Sequence, residues 1–182
     1  MKWSVLDPPP GFGTPTSVID TPRLNLRELG IHDAPFILEL LNDDGFLRFI
    51  GDKGVRTLAD ARDYILKGPL DSYRRHGFGL YLASLRLDGT PIGVCGLVKR
   101  DTLPDVDVGF AFLERHCSKG YASEAAKAIL EYGREALGLN RIVAITALEN
   151  HGSMAVLVKA GLRLERTIKL VEGGPELNLF GP

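Results

Sequence analysis

The chain predicts a mixed α/β sandwich, in which helices cover a largely antiparallel sheet of about seven strands. Three observations carry this. Alternating or apolar strand-like runs and helical runs follow one another as strand, helices, three strands, helix, strand, helix, two strands. No internal repeat interrupts that order. A length of 182 residues, with 45% hydrophobic and 25% charged residues, suits one domain with a full core.

Residues 1–17 hold Pro8, Pro9, Pro10, Gly11, Gly13 and Pro15, which build neither a helix nor a central strand, so they read as a loosely ordered arm ahead of a single domain over 18–182. Leu24 to Arg27 alternates as a first strand. Asp33 reads as an N-cap with Pro35 in the first turn, and Phe36, Ile37, Leu40 and Leu41 fall on one helical face. A short helical piece follows over Phe46 to Ile50. Thr57-Leu58-Ala59-Asp60 fits a capping box opening a helix toward Lys67, and Gly68-Pro69 should break or kink it before Leu70 to His76 resumes. Leu80 to Leu87 and Ile92 to Val98 flank the turn Asp88-Gly89-Thr90-Pro91 as a hairpin, and Asp105 to Leu113 is the next strand. Ala122 to Leu137 is the strongest helix, with Ala122, Ala125, Ala126, Ile129 and Leu130 as its apolar stripe and Gly138 at C′. A buried strand, Arg141 to Leu148, precedes a short helix from Ser153 to Ala160. Leu162 to Val171 and Glu176 to Phe180 close the chain around Gly173-Gly174.

Composition disfavours several functions. Net charge is −1 and no dense Lys/Arg run appears, so the phosphate neutralisation that nucleic-acid binding needs is missing. No apolar run approaches bilayer length, and Met1-Lys2-Trp3-Ser4-Val5 lacks a signal-peptide core, so no membrane and a cytoplasmic location are expected. Two cysteines, Cys95 and Cys117, form neither a disulfide framework nor a CxxC site, and no metal is expected.

The chemistry concentrates in two segments. Arg115-His116-Cys117-Ser118-Lys119-Gly120-Tyr121-Ala122 lies between a strand and the strongest helix. A tight glycine turn opening a helix aims unpartnered N–H groups at one point, where the helix dipole adds positive charge, and so suits a phosphate or pyrophosphate. Asn150-His151-Gly152-Ser153 follows another strand and opens a second helix, which closes at Lys159-Ala160-Gly161. In this order the pair resembles the Gcn5-related N-acetyltransferase (GNAT) family, in particular its ribosomal-protein alanine N-terminal acetyltransferase branch, over about Asp20 to Phe180.

The resemblance implies splayed central strands with a V-shaped slot for acetyl-coenzyme A as co-substrate. Cys117, Ser118, Lys119, Gly120, Tyr121 and Ala122 would take the pyrophosphate, largely by main-chain donors. Cys117 stands where the family usually has Gln or Arg, and Ser118 where this branch often has glycine. The backbone of Phe110, Ala111, Phe112 and Leu113 would pair with pantetheine as an added strand does, although aromatic residues in a strand are ordinarily core. Asn150 would contact pantetheine. Ser153 would hydrogen-bond or protonate the departing thiolate, unless it only caps its helix.

An amine must lose its proton before it attacks a thioester. At pH 7 this costs about 4.6 kcal/mol for a lysine-like amine but only about 1 kcal/mol for an α-amine, so a modest base suffices for the latter. Asp107 is the candidate base, where the branch commonly carries glutamate; a shorter side chain would act through a water, and the bland reading is a strand carboxylate paired with Lys or Arg. His116, His151 and Cys117 lack orienting partners. The expected function is N-acetyltransfer from acetyl-coenzyme A to a primary amine by direct attack. The acceptor is left open among a protein N-terminus, a polyamine, an amino acid and an aminoglycoside, with Asp43, Asp44 and Asp52 as cation-attracting or merely solvated groups. The competing reading is a coenzyme A-binding or sensing module without turnover. The chain is expected to be a monomer or a homodimer, the latter through the last strands.

Overall fold

The computed structural model describes residues 17–182. The arm expected over 1–17 lies outside the described residues except for Ser17, which already belongs to a strand. One sheet of eight strands runs in the order β1-β2-β3-β4-β5-β6-β8-β7. The extra strand is β1, Ser17–Asp20, which pairs antiparallel with β2, Leu24–Arg27. β3 (Leu80–Leu85), β4 (Pro91–Val98) and β5 (Val106–Phe112) continue the antiparallel run. β6, Ile142–Ala147, lies parallel to β5, as a strand connected through a crossover helix must. β8 (Glu176–Gly181) then sits between β6 and β7 (Arg163–Lys169), leaving β7 at the edge with nearly every residue exposed.

Helices cover both faces. On one side α5 (Tyr121–Glu135) and α6 (His151–Lys159) pack over Leu97, Val106, Val108, Ile142, Ala144 and Phe180. The expected stripe of α5 is buried at Ala125, Ala126, Ile129 and Leu130, while Ala122 stays half-buried in the first turn. On the other side α1 (Ala34–Leu41), α2 (Asp44–Phe49) and α3 (Leu58–Ile65) pack over Leu82, Val94 and Leu113. The register of β5 follows from this: Val106 and Val108 face α5, and Ala111 faces the α1–α3 cluster.

Two local expectations change. Asp33 precedes α1 but makes no side-chain cap; its carboxylate takes Arg27 and the Gly30 N–H instead. Gly68-Pro69 does not end the helix. A five-residue π-turn, Leu66–Leu70, joins α3 to α4 (Asp71–His76), its wider ring accommodating a proline that has no N–H to give. The Thr57 capping box forms as expected: its hydroxyl accepts from Asp60 N at 3.1 Å, and the Asp60 carboxylate accepts from Thr57 N at 2.8 Å. Among the described residues, no helix is long and apolar enough to cross a membrane, and no cluster of three His, Cys, Asp or Glu could hold a metal.

Candidate active site

β5 and β6 pair only at Val106–Ile142 and Asp107–Val143. Beyond that rung they part, while β5 stays paired with β4 along its length and β6 pairs with β8 from Ala144 to Ala147. The expected wedge is therefore present, with its vertex at Asp107. From Val108 to Phe112 the edge of β5 that faces β6 has no strand partner. Because the two strands are parallel, the loops that follow them lie at the same end of the sheet and flank the opening, and α5 packs on α6 beside it.

The loop after β5 is a one-turn 3-10 helix, Glu114–His116, and then a turn in which Ser118 (φ 60°) and Gly120 (φ 82°) are left-handed. Ser118 is the one non-glycine residue with positive φ among those described, at the position where the branch it resembles often has glycine. The first α5 hydrogen bond runs from Glu124 N to Gly120 O at 3.1 Å, so the N–H groups of Tyr121, Ala122 and Ser123 precede the helical ladder. These features fit an anionic ligand held by main-chain donors.

Residues that pattern reading missed hold this turn. Arg23 donates from Nη1 to Lys119 O at 2.9 Å and from Nε to Glu124 at 2.6 Å, and its guanidinium lies 4.6 Å from the Tyr121 ring centroid. Glu124 also accepts from the Thr21 hydroxyl at 2.6 Å and from Arg23 N at 2.9 Å. Nothing local in the sequence signals contacts across about a hundred residues. Lys119 turns its ammonium to Arg115 O at 3.0 Å. The Cys117 thiol, 3.6 Å from Leu113 O, is pushed up in pKa by burial and by the nearby Asp43 and Glu114, which leaves it a poor nucleophile.

Phe110 and Phe112 pack half-buried against the α5-side core. Leu113 is fully buried; its N–H goes to Ile92 O at 3.0 Å and its carbonyl accepts from His116 N at 2.8 Å, so its main chain is already engaged. On the other flank the α6 cap is Asn150, whose Oδ1 accepts from Ser153 N at 3.0 Å. Ser153 is therefore not the cap, and its hydroxyl is released from that duty.

Asp107 is 1% exposed and lies at the vertex on the α1–α3 face. Arg100 holds it, Nε to Oδ1 at 2.9 Å and Nη2 to Oδ2 at 3.3 Å. Burial pushes its carboxyl above the usual range, and the Arg100 charge only partly opposes that. Of the three acids considered for attracting a cation, two are engaged: Asp43 caps α2 and accepts from Glu114 N at 3.2 Å, and Asp52 pairs with Arg56 at 2.5 Å.

Comparison with known proteins agrees with this geometry. The acetyltransferase (GNAT) domain model matches residues 23–163. The N-acetyltransferase YnaD of Bacillus subtilis strain 168, itself uncharacterized, is 34% identical over 151 residues, covering 83% of this chain and 85% of its own. A GNAT-family acetyltransferase structure from Bacillus anthracis superposes with a TM-score of 0.75 at 27% identity, covering 90% of this chain and 96% of that one. RimL, a ribosomal L7/L12 α-N-protein acetyltransferase solved with coenzyme A, shares the fold with a TM-score of 0.78 at 17% identity, covering 92% and 97%.

Proposed function

The chain belongs to the GNAT acetyltransferase family, and we propose that it moves the acetyl group of acetyl-coenzyme A to a primary amine by direct attack, without a covalent enzyme intermediate. One observation carries this reading: β5 and β6 diverge from Asp107 onward, and the Cys117–Ala122 and Asn150–Ser153 segments flank the mouth of the resulting slot. The main-chain donors of Ser118 to Ala122 bind the pyrophosphate. The free β5 edge from Gly109 to Phe112 pairs with the pantetheine amides, and Asn150 uses its remaining Nδ2 toward the same arm. Acetyl-coenzyme A supplies the activated carbonyl.

The chain's side chains then handle protons. Asp107, raised in pKa by burial, accepts the amine's proton through a water, because its short buried side chain reaches little solvent itself. Arg100 positions that carboxylate. The Ser153 hydroxyl donates to the departing thiolate, which needs only modest help since thiols ionise near pKa 8.5.

The test is thiol release from acetyl-coenzyme A over a panel of amines, with cofactor affinity followed by calorimetry. Asp107→Asn should lower turnover about 100-fold and Ser153→Ala about 10-fold, both with cofactor affinity kept. Tight cofactor binding with no thiol release on any amine would instead favour the binding module. No affinity for coenzyme A at all would remove the site.

A further inference from the structure

A second cavity, of about 180 Å³, opens on the α1–α3 face of the sheet, between the loop joining β4 to β5 and strands β6, β8 and β7. Its floor is apolar and buried: Leu103, Val143 and Leu179 are 7%, 1% and 4% exposed. Val143 is the rung partner of Asp107, so the floor begins at the vertex of the slot and on the same face as that carboxylate. The opposite rim carries Arg166 and Lys169, both exposed, and neither enters an ion pair among the described residues. The acid on the wall, Asp105, is already matched by Arg141 at 3.0 Å, and Arg141 also holds Glu165 at 2.6 Å. Glu176 is the cross-strand neighbour of Lys169, yet no ion pair forms between them.

An apolar floor that begins at the slot vertex, beside Asp107 but not lined by it, and ends at two unmatched cations has a definite complement. It is a short zwitterion with an apolar body, its amine toward the slot vertex, where a water links it to Asp107, and its anionic group toward Arg166 and Lys169. Size agrees, because the cavity falls below the ~300 Å³ at which pockets begin to seat larger ligands. We propose that this cavity seats the acceptor, and that the acceptor is a single amino acid bearing a free carboxylate. Arg166 and Lys169 then determine specificity. The inference rests on the acetyltransfer reading above but is tested apart from it.

The probe is the acetylated product. N-acetyl-leucine, N-acetyl-methionine and N-acetyl-phenylalanine, each beside its carboxamide, are titrated by calorimetry into the full chain saturated with coenzyme A. At least one acid should bind about tenfold or more tighter than its amide, and Arg166→Gln with Lys169→Gln should erase that preference while coenzyme A affinity holds. Acids and amides binding alike would point to a protein N-terminus or another uncharged neighbourhood and overturn the proposal. No binding of any acid, or a preference that survives the double variant, overturns it equally. Absence of acetyl transfer alongside the expected binding would count against the proposed reaction and leave this assignment standing.

Discussion

Two regions of the molecule contain the same device and use it oppositely. At the entrance to α1, Arg27 grips buried Asp33 with two prongs, at 2.7 and 2.8 Å. At the slot vertex, Arg100 grips buried Asp107 with two prongs, at 2.9 and 3.3 Å. Burial raises both carboxyls, yet Asp33 ends below the ordinary carboxylate range and Asp107 above it. The difference lies in what else donates. Asp33 also accepts the Gly30 N–H at 2.8 Å, which together with Arg27 outweighs its burial. Asp107 is the more deeply buried of the two, and Arg100 grips it less closely. A fully satisfied pair locks a chain segment, whereas an under-satisfied one leaves a carboxylate with appetite for a proton.

The largest expected effect breaks the two pairs in parallel. Arg27→Ala strands a buried charge with one remaining main-chain donor and should cost about 3–5 kcal/mol in urea unfolding at pH 7. Arg100→Ala should cost less, about 1–2 kcal/mol, because Asp107 can take up a proton instead of remaining charged. Equal losses would mean that the two carboxylates do not differ as their surroundings indicate.

Acid titration of stability sharpens the same contrast through its sign. The folded pKa of Asp33 lies below its unfolded value of about 3.8, so its stabilisation is present above that value and is lost as pH falls through the folded one. Asp107 lies above 3.8 when folded, so its favourable contribution is complete below 3.8 and is lost as pH rises through the folded value. Asp33→Asn should therefore cost most at pH 7 and progressively less toward pH 3. Asp107→Asn should cost least at pH 7 and more in acid, each pKa unit corresponding to about 1.4 kcal/mol. Urea melts of both variants from pH 3 to 7 that shift in the same direction would refute the assignment.

The sequence made some of this visible and hid the rest for physical reasons. The β5–turn–α5 unit and the capping box at Thr57 are local: each depends on neighbours within a few residues, and each was legible. Asp33 looked like a helix cap because a cap is also local, but Arg27, on the preceding strand, takes it once the chain folds back. Asn150 rather than Ser153 caps α6, a choice between two competent caps three residues apart that only backbone geometry decides. β1 was missed because four residues beside a proline-rich arm have no period of their own and are made a strand by pairing with β2. The divergence of β5 from β6 came from resemblance; no pattern in either strand reports how soon they part.

The smallest effect compares main chain with side chain inside the cofactor turn. Ser118 holds φ 60°, where an L-residue costs roughly 1–2 kcal/mol and glycine does not. Ser118→Gly removes that strain while loosening the unfolded chain, for a net gain of about 0.5–1 kcal/mol in thermal or urea unfolding. Gly120→Ala is the reverse case. Its φ is 82°, and an added Cβ would lie 3.2 Å from the Arg23 guanidinium that braces the turn, so it should lose about 1–2 kcal/mol and weaken acetyl-coenzyme A binding. If main-chain donors carry recognition, Ser118→Gly keeps acetyl-coenzyme A affinity within about twofold despite losing a hydroxyl. A larger loss by calorimetry would assign the contact to the serine side chain. The tolerance of this turn for Cys117 and Ser118 would then need another cause than the backbone.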